Sequence, residues 1–145
     1  MAEDNKSIAR RIFNDIINTG NVALADALYA PSYVYHGSGG VELRGPEGFK
    51  QLVGMYLTAF PDVRLTIDDL IGEGDQVVVR WTARGTHLGD LTGIAPPTGR
   101  PISITGIIVM RFADGKVVED FENFDELAML RQIGVTTLPA AAAAV

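Results

Sequence analysis

Between Gly85 and Gly134 the chain reads GTHLGDLTGIAPPTGRPISITGIIVMRFADGKVVEDFENFDELAMLRQIG. Its middle alternates: Ile102, Ile104, Gly106, Ile108, Met110 and Phe112 fall on one side, with Ser103, Thr105 and Arg111 on the other. That period of two marks a strand with one buried face. Asp114-Gly115 then supplies a tight turn that tolerates positive φ, so Lys116–Phe124 returns as a partner strand. Asp125 can cap a closing helix carrying Leu127, Leu130 and Ile133, with Gly134 past its end. Upstream, the Gly-Ile-Ala-Pro-Pro-Thr-Gly-Arg loop at 93–100 is long for a hairpin connection. It is expected to rim a pocket.

Working outward, the same alternation predicts strands near Val63–Ile71 and Gln76–Leu88, joined through Gly72-Glu73-Gly74-Asp75. Before Pro61 the period is helical. Phe49, Leu52, Val53, Tyr56, Leu57 and Phe60 recur at the spacing of one helix face, started by Gly45-Pro46-Glu47. Ile8, Ile12, Phe13, Ile16 and Ile17 mark a first helix ending at Asn18-Thr19-Gly20-Asn21, and a shorter one follows from Val22 to Pro31. Tyr33-Val34-Tyr35-His36 reads as extended. Helices followed by antiparallel strands predict an α+β domain with its helices on one face of a curved sheet. The expected boundaries are a single domain at 1–135 and an alanine-rich tail at 136–145, too short to hold a helix in water by itself.

The chain has 145 residues, enough for one domain with a substantial core, and no cysteine. Thiol nucleophiles, cysteine metal sites and redox motifs are therefore excluded. Its net charge of −6 and the absence of a basic cluster beyond Arg10-Arg11 argue against a nucleic-acid partner. No apolar run approaches a membrane span, and a cytoplasmic protein is expected. G-x-G-x-x-G, Walker, H-E-x-x-H and G-x-S-x-G motifs are missing, and two histidines far apart give a metal site little support.

Four residues are candidates for chemistry. His87 shares a strand face with Val77, Val79, Trp81 and Ala83, where a satisfied core or rim histidine is the alternative to a functional one. His36 precedes the flexible Gly37-Ser38-Gly39-Gly40, where backbone can approach a ligand closely. On the last strand Val118, Asp120, Glu122 and Phe124 alternate with Val117, Glu119, Phe121 and Asn123, so both faces carry carboxylates. A desolvated carboxyl here would have a raised pKa suited to a general base or acid. Equally, acidic residues can keep an edge strand soluble.

Taken together, the chain resembles the SnoaL-like polyketide cyclases of the nuclear transport factor 2-like cone fold, from Ile8 to Gly134. The resemblance rests on Asn-Thr-Gly-Asn at 18–21, Gly-Pro-Glu-Gly-Phe at 45–49, Leu-Thr-Ala-Phe-Pro-Asp at 57–62 and Gly-Thr-His at 85–87. Gly-Ile-Ala-Pro-Pro-Thr-Gly-Arg at 93–100, Asp-Gly-Lys-Val-Val-Glu at 114–119 and Leu-Arg-Gln-Ile-Gly at 130–134 complete it. It implies a cone of N-terminal helices on a curved, mostly antiparallel sheet that encloses a pocket. It also implies a cofactor-free, metal-free intramolecular aldol condensation of a hydrophobic carbonyl compound. The family's base, usually an Asp, falls on Glu122, with Asp120 as a second carboxylate. Where characterised relatives can carry a histidine, Ile108 stands here, which leaves His87 and His36 as candidate proton donors. The expected pocket wall comprises Trp81, Phe49, Val53, Tyr56, Ile108, Met110 and Tyr35. Alternatives on this scaffold are an isomerase, an epoxide hydrolase, or a non-catalytic ligand-binding or dimerisation domain. Arg80, Arg84 and Arg111 fall on outward faces, which disfavours the hydrolase. The amphipathic outer faces of the central strands suggest a homodimer through the sheet.

Overall fold

The apolar spacing that begins at Ile8 produces α1 (Ala2–Arg11), which continues into a π-helical turn at Ile12–Ile17. This computed structural model describes residues 2–137; from residue 138 onward the expected tail lies outside the described residues. The wider turn closes with the Asn18 amide donating to the Phe13 carbonyl at 3.0 Å. It buries Ile12, Phe13 and Ile16 together. Asn18 then acts as a surrogate strand residue. Its side-chain amide donates to the Leu65 carbonyl at 2.9 Å and its side-chain oxygen accepts from the Leu65 amide at 2.7 Å.

A single turn of 3₁₀ helix leads into α2 (Ala25–Leu28), then β1 (Tyr29–His36) and β2 (Glu42–Arg44). Next comes α3 (Gly45–Ala59), with proline in its first turn. Four long strands follow: β3 (Arg64–Glu73), β4 (Gln76–Thr86), β5 (Pro101–Ala113) and β6 (Lys116–Phe124). The chain closes with α4 (Glu126–Gln132), capped by the Asp125 carboxylate, which accepts from the Ala128 amide at 3.0 Å. The β5–β6 turn has the positive φ expected at both Asp114 (52°) and Gly115 (75°).

One six-stranded sheet runs in the order β2-β1-β6-β5-β4-β3. Every neighbouring pair is antiparallel except β1 and β6, which run parallel with Tyr35 opposite Asp120. The strand expected at Tyr33 begins four residues earlier, at Tyr29. Helices cover the inner face of the sheet, and the core lies between the two layers. The last turn of α4 is tied to β5 by the Gln132 side chain, which exchanges two hydrogen bonds with the Ser103 backbone at 2.8 and 3.0 Å.

The loop at 93–100 does not rim the pocket. The whole segment 88–100 folds back against the far end of β4 and the C-terminus of α3, with Leu91 buried and bridged to Ala95. The Leu88 and Gly89 amides both donate to the Ala59 carbonyl. Gly89 is required there, because an added Cβ would sit 1.9 Å from the Thr58 carbonyl oxygen.

Candidate active site

Between the helices and the inner face of the sheet lies a cavity of about 120 Å³. Its walls come from the π-turn (Ile12, Phe13, Ile17), α3 (Phe49, Val53, Tyr56), the central strands (Trp81, Ile108, Met110) and Met129 of α4. Tyr35, on β1, also lines it. Thus Trp81, Phe49, Val53, Tyr56, Ile108, Met110 and Tyr35 all face one space. Within this apolar lining stand two carboxyl groups, those of Asp120 and Glu122.

A bulge puts them there. Arg111 pairs with Glu119 and Phe112 with Val117, so Val118 has no partner on β5. An unpaired residue resets the alternation of its strand. Val117, Asp120, Glu122 and Phe124 consequently turn inward, although plain alternation groups Val118, not Val117, with Asp120 and Glu122. Glu122 receives two hydrogen bonds, from the Tyr35 hydroxyl to Oε1 at 2.8 Å and from the Trp81 indole N–H to Oε2 at 3.1 Å. Burial pushes its pKa up, and these two donors oppose the rise by favouring the charged form. Asp120 is 1% exposed and receives one bond, from the Tyr33 hydroxyl to Oδ2 at 2.5 Å. Its Oδ1 is buried with no partner among the described residues. Burial pushes the Asp120 pKa up to about 8, against the Tyr33 hydrogen bond and with help from the nearby Glu122 charge.

Neither histidine lines the cavity. Strand alternation sends His36 to the face opposite Tyr33 and Tyr35. There its ring stacks on Phe121 and its Nε2 lies 2.8 Å from Glu119, which also accepts from Arg111. Those two partners, Arg111 foremost, hold the Glu119 carboxyl below the usual range. His87 is on the inner side of the sheet but outside the cavity lining, fully buried against Phe60. Its Nδ1 accepts from the Thr98 amide at 3.3 Å and lies 3.0 Å from the Thr98 hydroxyl, so the imidazole pins the 88–100 loop. Arg80 pairs with Asp69 and Arg111 with Glu119 on the outer face, and Arg84 is exposed there. None of the three reaches the cavity. Among the described residues no cluster of three His, Asp or Glu side chains could hold a metal ion.

Tyr33 is the polar neighbour that sequence reasoning missed. Tyr33 and Tyr35 share the spacing of Asp120 and Glu122, and the two pairs meet because β1 lies directly beside β6. The parallel pairing that brings them together spans 87 residues of chain.

The sequence profile of SnoaL-like polyketide cyclases matches residues 7–133. Nogalonic acid methyl ester cyclase of Streptomyces nogalater is 32% identical over 120 residues, 81% of this chain and 88% of that protein. Aklanonic acid methyl ester cyclase of Streptomyces galilaeus is 31% identical over 137 residues, 92% of each chain. Among solved structures, IdmH of Streptomyces antibioticus, a candidate polyketide cyclase, superposes with a TM-score of 0.78 at 32% identity, covering 90% of this chain and 99% of that one. A SnoaL-like protein from Jannaschia shares the fold, with a TM-score of 0.86 at 21% identity over 95% of this chain and 96% of that one. No helix among the described residues is long and apolar enough to cross a membrane.

Proposed function

The chain belongs to the SnoaL-like polyketide cyclase family, and from that premise we propose that it closes a ring in a hydrophobic polycarbonyl ester by intramolecular aldol condensation, with Glu122 as general base. The observation that carries this reading is a carboxyl group in an apolar cavity, desolvated yet supported on both oxygens by hydrogen-bond donors. Such a group is basic enough to take a carbon-bound proton and still ionised to do so. Glu122 removes a proton from a carbon flanked by carbonyls. The enolate carbon attacks a second carbonyl carbon of the same molecule, one C–C bond forms, and the attacked oxygen becomes an alkoxide that takes up a proton. Substrate and product are isomers, so the step needs no oxidant or reductant.

Cavity size bears on the substrate. A space of about 120 Å³ is smaller than the ~150 Å³ cavity that admits benzene. An ester larger than benzene is therefore enclosed only as the wall moves outward, and Leu52, Tyr56 and Leu57 of α3 are the partly buried side chains of that wall. The test is incubation with nogalonic and aklanonic acid methyl esters, following cyclised product. Glu122→Gln is expected to lose roughly 10²–10⁴-fold in rate. Unchanged turnover in that variant sinks the base assignment, and no turnover of either ester sinks the substrate class.

A homodimer through the outer face of the sheet completes the proposal. Ile107 and Phe121 are 49% and 47% exposed there, beside the half-buried Val109. Sedimentation giving only a 15.5 kDa species at micromolar concentration overturns it.

A further inference from the structure

We infer that Asp120 is the acid of this site, a neutral carboxyl group that carries its hydrogen on Oδ1 and delivers it to the alkoxide formed in ring closure. The inference rests on the cyclase reading above and answers a question that reading leaves open. With His36 and His87 both outside the cavity, the new alkoxide needs another donor.

Asymmetry between the two carboxyl groups assigns their protonation. Both oxygens of Glu122 accept a hydrogen bond, the arrangement of a carboxylate. Only one oxygen of Asp120 does so, and Oδ1 is left buried and unpartnered in the cavity wall. An ionised Asp120 would strand charge on that oxygen in apolar surroundings, which is costly. A neutral one turns it into an O–H with nothing to donate to until a ligand arrives. Two residues apart on the same face of β6, the groups stand roughly 6.7 Å apart along the strand, far enough to address two different atoms of one substrate.

The surroundings agree. Tyr29, Tyr33 and Tyr35 of β1, Tyr56 of α3 and Glu122 are the titratable groups facing Asp120, and β5 offers only Ile108 and Met110. No lysine, arginine or histidine lines the cavity to stabilise a second negative charge. The tyrosines are poor proton sources, since burial raises the pKa of each above its ordinary value. Asp120 is left as the acid best matched to an alkoxide near neutral pH. In the balanced step Glu122 gains the carbon's proton, Asp120 loses its own to the alkoxide, and after product release Glu122 gives up its proton to solvent while Asp120 takes one back.

The experiment combines ¹³C carboxyl NMR of the wild-type protein with rates on the two methyl esters. Asp120 is expected to show a protonated carboxyl at pH 6.5 while Glu122 shows a carboxylate, with Asp120→Asn and Glu122→Gln used for assignment. An ionised Asp120 at that pH overturns the inference whether or not any ester reacts. Asp120→Asn, which keeps shape and an N–H donor but no transferable proton, is expected to lose 100-fold or more in kcat with little change in KM. It is also expected to abolish the fall in wild-type rate as pH rises through about 8. Asp120→Glu restores part of the rate. Turnover lost in Glu122→Gln but unchanged in Asp120→Asn overturns the donor role alone. No turnover of either ester by the wild type overturns the substrate class and, with it, the donor role in that ring closure, while the carboxyl shift still decides the protonation of Asp120.

Discussion

A base buried in an apolar cavity is useful only if it stays charged, and for Glu122, the proposed base, that task belongs to two neighbours. Burial works against the carboxylate, while the Tyr35 hydroxyl and the Trp81 indole work for it. A hydrogen bond to a charged group is worth about 1.5–3 kcal/mol. Removing either donor therefore raises the Glu122 pKa. Because the base acts only when ionised, the acid limb of the kcat/KM profile is expected to move to higher pH in Tyr35→Phe and in Trp81→Phe. The cost on the acid side is on the order of tenfold in rate, with the alkaline limb unmoved. A pH–rate profile superimposable on that of the wild type would show that the donors do not tune the base. Spacing alone left Glu122 as one of several strand carboxylates, and it was the family resemblance that singled it out, by its distance from the Asp114-Gly115 turn. Its donors were not legible, because nothing local to residue 122 reveals that residues 35 and 81 lie within reach.

Among the elements, β5 carries a gap that serves the same carboxylate. Gly106 interrupts an otherwise apolar stripe, and it pairs with Trp81 on one side and Phe124 on the other. A Cβ there would lie 2.3 Å from Trp81 Cζ2 and 2.8 Å from Phe124 Cβ. The missing side chain is thus the space in which the indole lies while its N–H reaches Glu122. Gly106→Ala is expected to cost about 1–3 kcal/mol through overpacking and to displace the indole. Chemical denaturation reads the first effect, and the emission of the single tryptophan reads the second; a variant with unaltered stability and emission would refute the packing argument. The alternation of β5 was plain in the sequence because no bulge disturbs it between Pro101 and Arg111. On β6 alternation alone groups Val118 rather than Val117 with Asp120 and Glu122, since a bulge shifts the face without leaving a glycine or proline to mark it. His36 and His87 were ambiguous for a related reason. Each sits at a strand end, where alternation defines a face but not whether that face still borders the cavity.

At the scale of the whole molecule, two buried carboxyl groups with raised pKa values make folding respond to pH in an unusual direction. The Asp120 pKa stands at about 8 in the folded protein against an ordinary 3.8, and that of Glu122 is also raised. Between these limits the folded chain holds more protons than the unfolded one, so the unfolding free energy declines as pH rises. The contribution of Asp120 is complete below about pH 4 and is lost as pH rises through about 8. Each unit of separation corresponds to about 1.4 kcal/mol, so the decline amounts to several kcal/mol. Asp62 and Glu119 have the opposite sign. Their pKa values are lowered, by hydrogen bonds from Thr86 and from Arg111 respectively, so their support is lost only as pH falls below the ordinary carboxylate range. Stability is therefore expected to peak near pH 4.5–5.5 and to fall towards pH 8. In Asp120→Asn the alkaline side of that curve flattens, because the group that must lose its proton is gone. Urea unfolding at half-unit intervals from pH 4 to 8.5 measures the curve. A wild-type profile flat from pH 5 to 8 would mean that Asp120 ionises as an ordinary carboxyl group.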